Sequence, residues 1–155
     1  MAKEISVRLS NINYACTISD GHHQWMIDEP VEKGGSDIAH DPFAALLASI
    51  GSCSAITIRM YAQRKGWDVE DIEVKMSLAS QTEGGKRQTV FTRNILVKGN
   101  LTNDQLIRLQ QIATACPVSK TLEGEITFET GLIHVPDESS VSVNGVPENP
   151  YNDKT

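Results

Sequence analysis

The sequence of 155 residues has no excess of basic residues, and its formal net charge is −6. Nucleic-acid-binding proteins neutralise phosphates with a basic face, so this charge argues against a nucleic-acid partner. No uninterrupted apolar run approaches the roughly 18 to 20 residues that a membrane span needs. The first residues, Met1 to Glu4, lack the apolar middle of a signal peptide. We therefore expect a cytoplasmic protein with neither a membrane nor a nucleic-acid partner.

Sequence motifs for the common cofactor and hydrolytic sites are also missing. None of the histidines stands in a CxxC- or HxxxH-type spacing, so a zinc site has no support. A G-x-S-x-G elbow is absent, and the pair Gly34-Gly35 is not followed by a phosphate-loop pattern. We expect neither a metal nor an organic cofactor. The histidines are His22, His23, His40 and His134.

Cysteine is scarce: the sequence contains three, an odd number, and shows no export signal. Both features argue against a disulfide-stabilised scaffold. Cys16 lies on a predicted strand without a charged or glycine-rich context, which favours a structural role. Cys53 lies inside an apolar helical segment, where free cysteine often only fills space. Cys116 precedes Pro117 and is expected at a helix–helix junction, where the start of a following helix would favour a thiolate. For Cys53 and Cys116, packing and chemistry both remain open on these grounds.

The composition, 39% hydrophobic and 22% charged, is typical of a globular domain. Alternating segments predict strands, and an apolar segment capped by Asp41 and opened by Pro42 predicts a helix that is buried on most of its circumference. Pro117 either ends the helix before it or begins a short one. The predicted elements are strands over 5–9, 14–18 and 24–27, a helix over 42–65, strands over 72–78 and 89–98 around a turn over 81–86, a helix capped by Thr102 and Gln105, and a strand over 126–130.

This order of elements indicates an α+β domain in which a curved sheet wraps against one central helix. After Ile133 the pattern changes, and three prolines with little periodicity follow. We therefore expect a domain over 1–133 and a tail or arm over 134–155.

Three segments, in this order, resemble the OsmC/Ohr family of osmotically induced and organic-hydroperoxide-resistance proteins. The most specific is C-P-V-S-K-T-L at 116–122, which is close to the family's Cys-Pro-Val-x-x-x-Leu pattern. The other two are the glycine pair and loop leading to D-P-F-A-A-L-L-A-S-I-G-S-C at 41–53, and G-N-L-T at 99–102 before a helix that contains Arg108-Leu109. The resemblance spans about residues 1 to 133.

The resemblance implies an OsmC-like α+β fold, with curved antiparallel sheets wrapped around long central helices in an intertwined homodimer. It implies that Cys53 is the peroxidatic thiolate, which attacks the O–O bond of an organic hydroperoxide. Cys116 would be the resolving thiol, and an external dithiol would reduce the disulfide that the two form. The implied activity is thiol-dependent hydroperoxide reduction in oxidative or osmotic stress defence, without a metal or organic cofactor.

The sequence departs from the family pattern at the residues that usually activate the reactive cysteine. Family members pair it with a loop arginine, which is held by a glutamate just after the helix-opening proline. Here Phe43 and Ala44 occupy the positions of that glutamate, and the loop over 28–41 offers only Lys33 as a cation. Arg59 is on the Cys53 helix but is expected to face away from it. A thiol without a cation should have a raised pKa. This departure motivates two alternatives: a small-molecule-binding or redox-sensing dimer with little peroxidase activity, and a dimer with inert cysteines.

Overall fold

The computed structural model describes residues 4–9 and 11–134 of the protein. The chain forms one unit over Met1–Glu125 and a second unit that begins at Ile126. Beyond His134, the predicted tail lies outside the described residues, so the boundary after residue 133 stays a prediction.

An antiparallel sheet of three strands opens the fold, in the order β1 (Ser6–Leu9), β2 (Cys16–Ser19) and β3 (Gln24–Ile27). The turn between β2 and β3 is held by Asp20, whose Oδ1 accepts the backbone N–H groups of His22 (2.9 Å) and His23 (2.7 Å). The predicted meander is therefore confirmed. The predicted half-burial of β1 is wrong, because all four of its residues are exposed. Alternation marks a face that can be covered, but β1 is an edge strand paired only with β2.

Helix α1 (Pro42–Lys65) begins and ends where the sequence predicts. The Asp41 side chain accepts the backbone N–H of Ala44 (2.9 Å), and Gly66 closes the helix in the left-handed conformation (φ 67°). The expected burial on most sides is wrong for this chain. Only one face is buried, while Met60 is 65% exposed. The buried residues of this helix are Ile50, Gly51, Ser54, Ile58 and Ala62.

Helix α1 is the one described helix whose length and composition can be compared with those of a membrane span. An 18-residue window of this helix reaches a mean hydropathy of 1.5, which length and composition alone would allow to cross a membrane. A single helix of this kind is weak evidence, because the core helix of a water-soluble protein meets the same criteria.

A long antiparallel hairpin follows, formed by β4 (Asp71–Glu83) and β5 (Lys86–Lys98). The turn predicted over 81–86 is too long, since only Gly84 and Gly85 separate the strands. Both glycines have positive φ (56° and 77°), which a two-residue hairpin turn requires. Strand β4 packs against α1, and a Cβ on Gly51 would lie 3.1 Å from the Met76 Cγ. Glycine at this position lets the helix approach the strand closely.

Two short helices complete the first unit, α2 (Asn103–Ala113) and α3 (Pro117–Glu123). Thr102 and Gln105 form the predicted capping box at the start of α2. Pro117 begins α3, which resolves the alternative left open by the sequence. The core joins α1 to α2 through Ile58, Ala62, Val69, Leu109 and Ala113.

The strand predicted over 126–130 is not present. In the described part of the second unit, 126–134, the backbone forms neither helix nor strand, and Phe128 is 88% exposed. A strand requires a hydrogen-bonded neighbour, which side-chain alternation does not provide. The α+β class itself is confirmed: the described residues contain two antiparallel sheets and three α-helices.

A candidate two-cysteine site

The structure brings two of the three cysteines together within a single chain. Cys53 lies on α1, and Cys116 lies at the junction between α2 and α3, with its backbone outside the helical region (φ −57°, ψ 121°). The predicted helix–helix junction at Cys116 is confirmed. The two thiols are neighbours that shift each other's pKa, and both cysteines are free. Cys16 instead begins β2, in register with Leu9 and Ile27.

The two paired thiols differ in their access to solvent. Cys116 is fully buried (0% exposed), and its protonated Sγ donates to the carbonyl oxygen of Ile50 at 3.8 Å. Cys53 is half-buried. Of the two sulfur atoms, Cys53 is therefore the more accessible to a molecule arriving from outside.

Burial raises the pKa of Cys53, and its contact with the Cys116 thiol raises it further. The Val118 backbone N–H and the Thr57 hydroxyl act in the opposite direction without reversing the shift. The direction agrees with the effect expected when the usual activating cation is missing from the loop.

The pKa of Cys116 moves the other way. Burial alone would raise it, but hydrogen bonds lower the pKa of Cys116 to about 7. The donors are the Cys53 thiol and the backbone N–H and hydroxyl of Ser119. The Ser54 hydroxyl lies near the same sulfur but donates its proton to the Ile50 carbonyl oxygen at 2.8 Å. Negative charge is therefore favoured on Cys116, whereas the family resemblance places the thiolate on Cys53.

A cation does reach this site, and it comes from β5. Arg93 donates from Nη1 to the carbonyl oxygen of Ala113 and from Nη2 to the Ser119 Oγ, both at 2.5 Å. The Arg93 Nε is buried and has no hydrogen-bond partner among the described residues. Sequence reasoning missed this arginine, although a signal was available. Arg93 is in phase with Phe91 and Ile95 on the less exposed face of its strand.

The two cations considered from sequence are engaged elsewhere. Arg59 donates to the carbonyl oxygens of Val69 and Glu70, and so ties α1 to the segment that leads into β4. The Lys33 ammonium lies 3.0 Å from the Glu29 carboxylate.

A cavity of about 450 Å³ adjoins the thiol pair on the side of Ser119. Neither cysteine lines the cavity, but Ser119 and Ile50, whose carbonyl oxygen contacts Cys116, do. Apolar side chains and the Arg93 side chain share its wall. The lining residues are Ile50, Gln88, Thr89, Val90, Phe91, Arg93, Ser119, Leu122 and Glu123.

A second buried polar group, also missed from the sequence, organises the loop before α1. The Asp28 carboxylate is fully buried and accepts backbone N–H groups from Glu29 (2.8 Å), Ser36 (3.0 Å) and Ile38 (3.3 Å). Burial opposes ionisation, but these donors together lower the pKa of Asp28. The carboxylate therefore stays charged at neutral pH and holds together the loop that leads to Asp41.

The α+β arrangement of this chain agrees with the comparisons with known proteins. The family model described as OsmC-like protein matches residues 34–131. The chain belongs to the OsmC-like family.

Solved structures show the same fold at low sequence identity. An OsmC-like protein from Mycoplasma pneumoniae superposes with a TM-score of 0.66 at 18% identity, covering 80% of this chain and 89% of that one. The organic hydroperoxide resistance protein OhrB of Bacillus subtilis superposes with a TM-score of 0.57 at 20% identity, covering 80% of this chain and 92% of that one. An organic hydroperoxide resistance protein OsmC from Legionella pneumophila superposes with a TM-score of 0.59 at 19% identity, covering 80% of this chain and 90% of that one. No curated protein sequence matches the chain significantly.

Proposed function

We propose that this protein is a thiol-dependent reductase of organic hydroperoxides that acts through Cys53 and Cys116. The observation that carries the proposal is the pairing of these two thiols in one chain, with hydrogen-bond donors directed at the buried member. Membership of the OsmC-like family supports it, as do the names of two structural relatives as hydroperoxide resistance proteins.

In the first step, Cys53 is the attacking group because it is the more accessible thiol. The Cys116 thiolate accepts the Cys53 proton, and the resulting Cys53 thiolate attacks the outer oxygen of the hydroperoxide. The O–O bond breaks, and the alkoxide leaves as an alcohol after taking a proton from solvent. Cys53 is thereby oxidised to a sulfenic acid.

In the second step, Cys116 resolves this sulfenic acid. Its sulfur attacks the Cys53 sulfur, a disulfide forms, and the hydroxyl group leaves as water. An external dithiol then reduces the disulfide and restores both thiols. The net reaction converts one hydroperoxide and one dithiol into one alcohol, one water and one disulfide of the reductant.

The cavity beside Ser119 supports an organic substrate over hydrogen peroxide. Its wall contains Ile50, Val90, Phe91 and Leu122, which can cover an apolar tail while the peroxide group reaches the thiols. We place the protein in the cytoplasm, where reducing conditions keep such thiols reduced.

A homodimer is part of the proposal. Apolar side chains on one face of α1, Ile56 (59%) and Met60 (65%), are exposed in the single chain, as are Val7 and Leu9 of β1. A second copy of the chain would cover such surface. Sedimentation equilibrium should give twice the monomer mass of 17.0 kDa; a monomer at micromolar concentration would contradict this part of the proposal.

The test of the activity is consumption of cumene hydroperoxide with a dithiol reductant. Cys53→Ser should reduce turnover on the order of 10³-fold or more, because a hydroxyl cannot replace the thiol as nucleophile. Cys16→Ser is the matched control and should turn over like the wild type. Undiminished turnover in Cys53→Ser would refute the proposal.

A second function, a redox-sensing dimer with little turnover, is favoured by the raised pKa of Cys53. It predicts that one equivalent of hydroperoxide closes the Cys53–Cys116 disulfide, with a mass loss of about 2 Da per chain, but that added dithiol supports no sustained consumption. Rapid multiple turnover of the wild-type protein would exclude this alternative.

A further inference from the structure

Arg93 occupies an unusual place for a charged side chain. It lies on β5 in phase with Phe91, Ile95 and Val97, on the face that is less exposed. Removing a guanidinium from water is costly unless its donors are satisfied. Two of the Arg93 donors are satisfied, because the Ala113 carbonyl oxygen and the Ser119 Oγ each accept a hydrogen bond at 2.5 Å. Ala113 ends α2 and Ser119 belongs to α3, so one guanidinium links the two helices on either side of Cys116.

The Ser119 hydroxyl connects this cation to the thiols. A hydroxyl has one proton to donate, and its oxygen accepts a hydrogen bond from the Arg93 Nη2. Because the oxygen is occupied in this way, its proton is directed elsewhere, and the Cys116 sulfur lies within its reach. The Ser119 backbone N–H points to the same sulfur.

We propose that Arg93 is a positioning residue for the thiol site, which orients the Ser119 hydroxyl toward the Cys116 sulfur and holds α3 against α2. The family's activating cation comes from the loop before α1, whereas here it comes from β5. The part that Arg93 would play in peroxide reduction rests on the proposed function. Its effect on the acidity of the thiols does not depend on that function.

The charged and titratable groups around the pair are few in the described part of the chain. Cys53 faces Cys116 from α1, and Arg93 approaches from β5. On α3, Lys120 and Glu123 pair with each other at 2.6 Å, and Glu123 also reaches the cavity wall. Arg93 is the one of these charged groups that hydrogen bonds to Ser119, so its removal should act on Cys116 through that hydroxyl.

Arg59 provides a matched control. Like Arg93, it donates from both terminal nitrogens and ties two elements of the fold together. Its acceptors are the carbonyl oxygens of Val69 and Glu70, and it does not hydrogen bond to Ser119. Arg59→Met therefore removes a comparable structural link without touching the thiol network.

The experiment measures the rate of iodoacetamide alkylation against pH in a Cys16→Ser background, so that only the pair reports. Arg93→Met should raise the midpoint of this alkylation profile by about one pH unit. At a pH below the midpoint, the thiolate fraction should then be roughly tenfold lower than in the wild type. Ser119→Ala should also raise the midpoint. Arg93→Lys should keep the midpoint closer to the wild-type value than Arg93→Met does. Arg59→Met should leave the midpoint unchanged. Circular dichroism selects the variants that fold, and Ser119→Ala carries the test if Arg93→Met does not fold.

Two results would overturn the inference. One is an unchanged midpoint in folded Arg93→Met or Ser119→Ala protein. The other is a full shift of the midpoint when Arg93→Met is added to Ser119→Ala protein. The effect of Arg93 would then not pass through the Ser119 hydroxyl. Alkylation requires no hydroperoxide, so a protein that fails to reduce peroxide but shows the expected shifts would refute the proposed activity and support the role of Arg93.

Discussion

Negative charge is favoured in two buried regions of the protein, and the two regions stabilise it by different means. In the loop that begins at Asp28, every backbone donor to the carboxylate comes from the following ten residues. At the thiol pair, the donors to Cys116 come from α1 and α3, and β5 supplies the cation behind Ser119.

The difference separates an anion whose proton is lost permanently at neutral pH from one whose proton can still move. Asp28 is surrounded by fixed N–H groups and has a lowered pKa, so its charge is permanent at neutral pH. Cys116 shares a proton with Cys53 and has a pKa of about 7, so its charge can be transferred. A group whose proton moves near neutral pH is suited to chemistry, and a group whose proton does not move is suited to holding a loop.

After Cys53→Ser, the largest expected effect is on turnover in Cys116→Ser. The variant lacks both the proton acceptor and the resolving thiol, so peroxide reduction should fall on the order of 10²- to 10³-fold. Cys53 should then remain as a sulfenic acid, which dimedone labelling and mass spectrometry detect. Labelling found at Cys116 in Cys53→Ser, but never at Cys53 in Cys116→Ser, would reverse the assignment of the attacking thiol.

A smaller effect is expected in the other region. Asp28→Asn replaces an acceptor of several N–H groups with an amide that cannot satisfy them all, so the melting temperature should fall. The alkylation profile of the pair should stay as in the wild type, because no donor to Cys116 comes from this loop. A shifted profile would show that the two regions are coupled.

The two regions should also affect stability in different pH windows. The pKa of folded Asp28 lies below its ordinary value of 3.8, so its contribution is fully present above that value and is lost as the pH falls through the folded pKa. The pKa of folded Cys116, about 7, lies below its ordinary 9.0. Its contribution is therefore full above pH 9.0 and is lost as the pH falls toward 7. Above pH 9.0 the raised pKa of Cys53 acts in the opposite sense.

Chemical denaturation of the wild type and of Cys53→Ser/Cys116→Ser measures this window. The difference in unfolding free energy should grow by about 1.5 to 2 kcal/mol between pH 7 and 9. The corresponding difference for Asp28→Asn should be flat over this range and should shrink only in acid. Growth of the Asp28 difference above pH 7 would contradict this separation.

The smallest effect is expected for Cys16→Ser. Cys16 lies on β2 and takes no part in the thiol network, so turnover and the alkylation midpoint should match the wild type. A loss of turnover in this variant would show that the third cysteine is also redox-active.

Several features of the fold could be predicted from sequence because they depend on neighbouring residues. The Asp41-Pro42 start of α1, the Thr102–Gln105 capping box and the Asp20-Gly21 turn are each formed within a few residues, by a side chain that satisfies nearby backbone groups. The proline effect on Cys116 is local as well. The local settings of Cys53 and Cys116 along the chain were therefore available from sequence.

Other features depend on groups that are distant in the chain, and only the tertiary structure decided them. Arg93 and Ser119 are 26 residues apart, and their contact exists because β5 lies beside α3. The burial of one face of α1 and the absence of a strand over 126–130 depend on which surfaces meet. The preference for charge on Cys116 depends on donors from separate elements converging on one sulfur. A sequence pattern states what a residue can do locally, whereas a pKa depends on the groups that packing brings together.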